Sequence, residues 1–171
     1  MDIKKTANLL LNFAINRLAE IFGFIISSAG TLIFIALLSY SPEDPNFIFP
    51  DNTEIKNILG FRGSFVSDLF LQSFGLMSYL ISFTFIVTGI NIFRTKEFFL
   101  IVENIFFSIA YLIFGTLLLT FFYSNTFTLY INGNGGFVGS YLNTTFLKSI
   151  IEINQTIFYY ILIILITLLF L

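Results

Sequence analysis

Four apolar blocks without a single charged residue, Ile21 to Tyr40, Phe74 to Phe93, Ile105 to Phe122 and Ile157 to Leu171, restrict this chain to a membrane. A helix needs about 20 mostly apolar residues to cross the hydrocarbon core of a bilayer, and the first three blocks are near that length. The expected fold is therefore an all-α integral membrane domain over residues 1–171. It is read as a four-transmembrane-helix bundle with crossings at about 21–40, 74–93, 105–122 and 155–171, and with two ordered extracytoplasmic loops.

Composition agrees. Hydrophobic residues make up 57% and charged residues 11%, with 25 Phe and a mean hydropathy of +0.92, whereas a soluble domain is typically about 25% charged. The net charge of -2 and the lack of a basic cluster argue against direct nucleic-acid binding by these residues. With no Cys and no His, disulfides, the usual zinc sites and His- or Cys-based catalysis are excluded, and no cofactor is expected. Lys4 and Lys5 ahead of an apolar run imitate a signal peptide, but the run is too long and leads into Ser41 and Pro42, so an uncleaved first helix is expected.

Residues Ile3 to Glu20 mix Leu9, Leu10, Phe13 and Leu18 with Lys, Asn and Arg, which suits either a helix on the membrane surface or a solvated lead into helix one. Pro42 and Pro45 end that helix. An ordered loop is expected from Ser41 to Gly63, containing Asn46, Asp51 and Asn52. In the next stretch Phe65, Val66, Leu69, Phe70 and Leu71 fall near one helical face, predicting an interfacial amphipathic turn or two before the second crossing. The link Arg94 to Glu97 is so short that helices two and three must form an antiparallel hairpin. A second loop follows Phe122, with a turn at Asn132 to Gly136 and an amphipathic stretch from Phe137 to Glu152.

Lys4, Lys5, Arg17, Arg94 and Lys96 fall on one side, against Lys56, Arg62 and Lys148 on the other. The positive-inside rule then puts both termini and the short link in the cytoplasm.

Catalytic motifs are missing. No P-loop surrounds Lys148 and Ser149, and Gly133, Gly135, Gly136 and Gly139 lack the spacing of a dinucleotide loop, so they read as a turn. Asp68 and Glu103 are the carboxylates nearest to membrane depth, and each is expected near a helix end where it meets water or headgroups. Gly23, Ser27 and Gly30 line one face of helix one, and Gly75, Ser78, Ser82 and Gly89 one face of helix two. In lipid, close backbone approach at small residues drives association, so these faces are candidates for packing within or between subunits. Pro42, Glu43, Asp44 and Pro45, just outside the membrane, are the candidate partner-contact loop.

The run LSYSPEDPNF from Leu38 to Phe47 and the segment from Asn57 to Leu80 resemble the N-terminal membrane domain of the FtsK/SpoIIIE septal DNA translocases. The resemblance rests on Ser39, Tyr40, Ser41, Pro42, Asp44 and Pro45 at the helix exit. Asn57, Gly60 and Gly63 then lead into helix two, followed by Asp68, Phe74 and Gly75, with Gly135, Gly136 and Gly139 before the last helix. Ser82, where many members have proline, and Asn154 depart from the pattern.

The resemblance implies a membrane anchor and division-site interaction module of a DNA translocase, in the bacterial inner membrane at the septum. Its implied partners are the lipid bilayer, other division proteins and further copies of itself as a homo-oligomer. It implies no enzyme activity here, since the ATP-driven motor of the family is not on this chain. The alternatives are a small transporter or channel subunit, which would need a polar path at mid-bilayer, and a stand-alone membrane interaction protein.

Overall fold

The computed structural model describes residues 3–45, 54–124, 132–145 and 147–170. They form helices α1 (Ile3–Leu38), α2 (Gly60–Phe74), α3 (Met77–Thr95), α4 (Phe99–Phe122), α5 (Gly136–Asn143), α6 (Leu147–Ile153) and α7 (Gln155–Phe170), with no strand among the described residues. Stretches of α1, α3 and α4 are long and apolar enough to cross a membrane, and α6 with α7 makes a fourth candidate, bent by 116°.

No Gly or Pro interrupts the chain between Ile3 and Phe22, so the expected boundary near Glu20 does not form and α1 runs unbroken for 36 residues. At 1.5 Å per residue that is about 54 Å, well over the roughly 30 Å core of a bilayer. The surplus lies at the N-terminal end, where residues 7–18 are all exposed. Glu20 marks where contact with the rest begins: its carboxylate meets Lys96 of the α3–α4 link at 2.7 Å.

The closest packing joins α1 to α3. A Cβ added at Gly89 would lie 2.5 Å from the Gly23 carbonyl oxygen and 2.7 Å from Ser27 Cβ, and one added at Gly30 would lie 2.9 Å from the Ser82 carbonyl oxygen. The small-residue faces therefore meet each other inside one chain. Gly75 is the exception: it sits outside the helices, in the break between α2 and α3.

From α3 the order continues sideways. Lys96 takes the left-handed conformation (φ 66°) and its N–H caps α3 on the Ile92 carbonyl at 2.9 Å, turning the chain into α4, which packs on α3 and then on α7. Among the described residues no comparable packing joins α1 to α4 or α7. The helices stand as an open row, α1–α3–α4–α7, where a bundle is expected from the sequence. At the last bend Asn154 leaves the helix, and its Oδ1 accepts the Ile157 N–H at 3.1 Å, capping α7.

Candidate functional site: the loop end of the helix row

Where α1 ends, the chain must satisfy several carbonyls and then re-enter a helix. Ser39 Oγ donates to the Ile35 carbonyl at 2.8 Å and accepts the Ile58 N–H at 3.2 Å. Asn57, 4% exposed, donates its amide to the carbonyls of Ala36 (2.9 Å) and Ser39 (3.2 Å), while its Oδ1 accepts the Leu59 N–H at 3.0 Å. The end of α1 is thus capped by a residue far along the chain.

Asp44 holds Asn57 there. Its Oδ1 accepts the Lys56 N–H and its Oδ2 the Asn57 N–H, each at 2.8 Å. Hydrogen bonds to a charged group are worth about 1.5–3 kcal/mol each. The Asn57, Gly60, Gly63 spacing follows: Gly60 turns with φ 66°, and a Cβ on Gly63 would come within 3.0 Å of Asn57 Cγ. Ser64 Oγ then donates to the Pro45 carbonyl at 3.0 Å, tying α2 to the loop.

Of the candidate contact residues, only Pro42 and Glu43 reach solvent; Asp44 and Pro45 are buried. The Glu43 carboxylate pairs with the Lys56 ammonium. The hydrogen bond from Lys56, then its charge, holds the Glu43 carboxyl below its ordinary value, and Glu43 in turn raises Lys56. Asn46, Asp51 and Asn52 lie outside the described residues.

The apolar residues expected on one interfacial face of α2 divide: Leu71 is buried and Phe65, Val66 and Phe70 are half-buried, while the inward side is mostly small and polar. Gly63, Ser64, Ser67, Asp68 and Leu71 are buried, whereas Leu69 is 52% exposed. In a membrane nothing drives apolar side chains inward, so small and polar groups that can pack or bond take the interior face. Asp68 correspondingly lies in the middle of α2, buried, and not at a helix end. Its Oδ1 accepts from Tyr40 at 3.3 Å and from the Gln72 amide at 3.4 Å.

The second loop closes on the same end. The Leu76 N–H donates to the Asn134 carbonyl at 3.0 Å, and Asn132 donates to the Gln72 carbonyl at 3.2 Å. Gly75, at φ 58°, allows this contact: a Cβ there would lie 2.5 Å from the Asn134 carbonyl carbon. The expected turn at Asn132 to Gly136 is present, closed by Gly136 N–H to Gly133 O at 3.1 Å. Ser78 and Ser82 are buried and donate to the carbonyls of Phe70 (2.7 Å) and Tyr79 (2.8 Å).

One polar feature escaped sequence reading. Between α3 and α4, Asn104 donates to Thr88 Oγ1 at 2.8 Å, and Thr84 and Tyr111 hydroxyls lie 2.8 Å apart. Thr84 and Thr88, four residues apart inside an otherwise apolar block, mark one face of a helix. Glu103 is exposed in the second turn of α4 and lines a groove beside this seam, near the helix start as expected.

Comparison with known proteins agrees with the loop motifs. The 4TM region of DNA translocase FtsK/SpoIIIE matches residues 16–171. DNA translocase FtsK of Rhizobium meliloti (strain 1021) is 32% identical over 78 residues, 46% of this chain and 9% of that protein. The same-named protein of Shewanella oneidensis is 29% identical over 131 residues, 73% of this chain and 14% of the relative. That of Rickettsia typhi is 35% identical over 68 residues, 40% of this chain and 9% of the relative. The chain therefore spans less than a sixth of the length of these relatives, and what it matches is their membrane region, not the motor. No solved structure matches it.

Proposed function

The chain belongs to the family of the 4TM region of DNA translocase FtsK/SpoIIIE, and from that premise we propose that it holds a DNA-translocating motor at the division site in the bacterial inner membrane. Its mechanism is tethering. Fixing a motor in a patch of membrane raises its local concentration without new chemistry, as linked binding modules do.

The observation that supports this reading is the clamp of Asp44 on Asn57, which holds the two described ends of the first loop together outside the spanning helices. A purely hydrophobic anchor has no need of such a loop. A loop clamped at its ends suits contact with other division proteins, with Pro42 and Glu43 among its exposed residues. The N-terminus and the α3–α4 link lie in the cytoplasm, the two loops outside, and copies of the chain assemble with one another.

A fluorescent fusion to residues 1–171 tests this directly. Enrichment at the septum of dividing cells is expected, and a uniform distribution around the membrane overturns the division-site role.

A further inference from the structure

Helix α2 carries opposite charges on two flanks, and neither has an ionic partner among the described residues. Asp68 is 9% exposed, and its two neutral donors at 3.3 and 3.4 Å are long and both act on Oδ1. It lines a groove of about 410 Å³ walled by Phe65, Leu69 and Phe137, with Gln72 and Asn132 beside it. A carboxylate so placed is costly unless a cation meets it, and a long cationic side chain fits such a groove, its stem on the apolar walls and its head at the carboxylate.

Among the described residues the chain supplies no such cation to itself. Lys56 pairs with Glu43, Lys148 with Glu152, and Arg17 and Lys96 with Glu20. Lys4, Lys5 and Arg94 belong to the opposite end of the row, and segments 46–53 and 125–131 contain no Lys or Arg. Arg62 remains. It is exposed, and it lines a second groove of about 290 Å³ between α1 and α2, with Leu32, Ile33, Ala36 and Val66. Six residues separate it from Asp68, which turns the two about 120° apart on the helix, so they cannot pair within one chain.

We propose that a second copy of this chain seats its Arg62 in the Asp68 groove. The contact joins different flanks of the two α2 helices, so it is head-to-tail: a pair of copies keeps one free Arg62 at one end and one free groove at the other, and further copies add until a ring closes. This rests on the reading that the chain assembles with itself, and it names the surface by which it does so.

The absence of Cys permits a direct test. Phe61→Cys, beside Arg62, and Leu69→Cys, on the groove wall, leave both charges in place; they are put in two differently tagged copies, expressed together, and treated in membranes with a thiol crosslinker. The mixed pair should join the two tags, and pairs matched at 61 or at 69 should give background only. Arg62→Glu, an exposed position that leaves the buried groove intact, should lower co-purification of the two tags about tenfold. If the parent copies co-purify but the mixed pair does not crosslink and Arg62→Glu changes nothing, this surface is wrong while self-assembly stands. That result would also follow if Asp68 met a lipid ammonium group or a cation of another protein. If the parent copies do not co-purify, both readings fail.

Discussion

Asp44 and Asn57, 13 residues apart, form one clamp: the Asp44 carboxylate fixes the Asn57 backbone N–H at 2.8 Å while the Asn57 amide caps the end of α1. An acidic residue between two prolines reads as a solvent-facing charge. Here it is 4% exposed and holds the loop.

Asp44→Ala leaves two backbone N–H groups without their acceptors. Unfolding of the domain in mixed detergent should shift by about 1–3 kcal/mol, with Asp44→Asn closer to the parent because it keeps one acceptor. Glu43→Ala, at an exposed position, should leave unfolding near the parent. Equal effects from Glu43→Ala and Asp44→Ala would contradict the clamp.

Bulk at the α1–α3 contact should act on the fold of the single chain. Gly89→Leu drives a side chain against Gly23 and Ser27, and overpacking of this kind costs about 1–3 kcal/mol or more. Protease resistance of the purified chain should fall in Gly89→Leu and Gly30→Leu alike. If both resist like the parent while only self-association drops, the small faces pack between copies instead.

Three of the crossings are legible because uncharged apolar runs of sufficient length have few alternatives, and the stop at Pro42 is legible because proline cannot continue a helix. What escaped was orientation. Sequence periodicity locates the apolar face of α2, but lipid accepts that face as readily as protein does, so the pattern of Phe65, Leu69 and their neighbours could not say which side packs. The small and polar side, Gly63, Ser64, Ser67 and Asp68, carried that information. The continuity of α1 escaped because its first turns mix Asn and Lys with Leu, a pattern that resembles a surface helix, yet nothing in them breaks a helix.

Membrane sidedness can be read from three exposed positions, Glu54, Asn132 and Thr95, replaced singly by Cys. An impermeant thiol reagent should reach the first two from outside and not the third, as the basic-residue asymmetry implies. Asn134 would be a poor reporter, being 1% exposed. Reversed labelling would invert the orientation, whereas labelling of Glu54 and Asn132 positions from opposite sides would contradict the joined loops.

The Glu43–Lys56 pair sets a pH window for the first loop. Glu43 is held below 4.5 by Lys56, so what it contributes is fully present above 4.5 and is lost as pH falls through the lowered value. Lys56 is raised above 10.5, so its part is present below 10.5 and is lost as pH rises through the raised value. Carboxyl-resonance titration of Glu43 should show a midpoint below 4.5 that returns toward it in Lys56→Met. A midpoint unchanged by that substitution would dissolve the pair.

The Asn104–Thr88 hydrogen bond separates packing from passage. If the α3–α4 seam is glue between helices, its groups are already satisfied by one another, Asn104 on Thr88 and Thr84 on Tyr111, and intramembrane hydrogen bonds of this kind contribute about 0.6 kcal/mol on average. Asn104→Leu should therefore loosen the hairpin slightly, visible as a shift in unfolding of that order, and leave the ion permeability of vesicles carrying the chain at the lipid background before and after. A polar path behaves otherwise, because its groups must be free to bond a passing solute. Permeability above background in the parent that Asn104→Leu abolishes would move the chain from tether to channel subunit, and the Glu103 groove beside the seam would become its entrance.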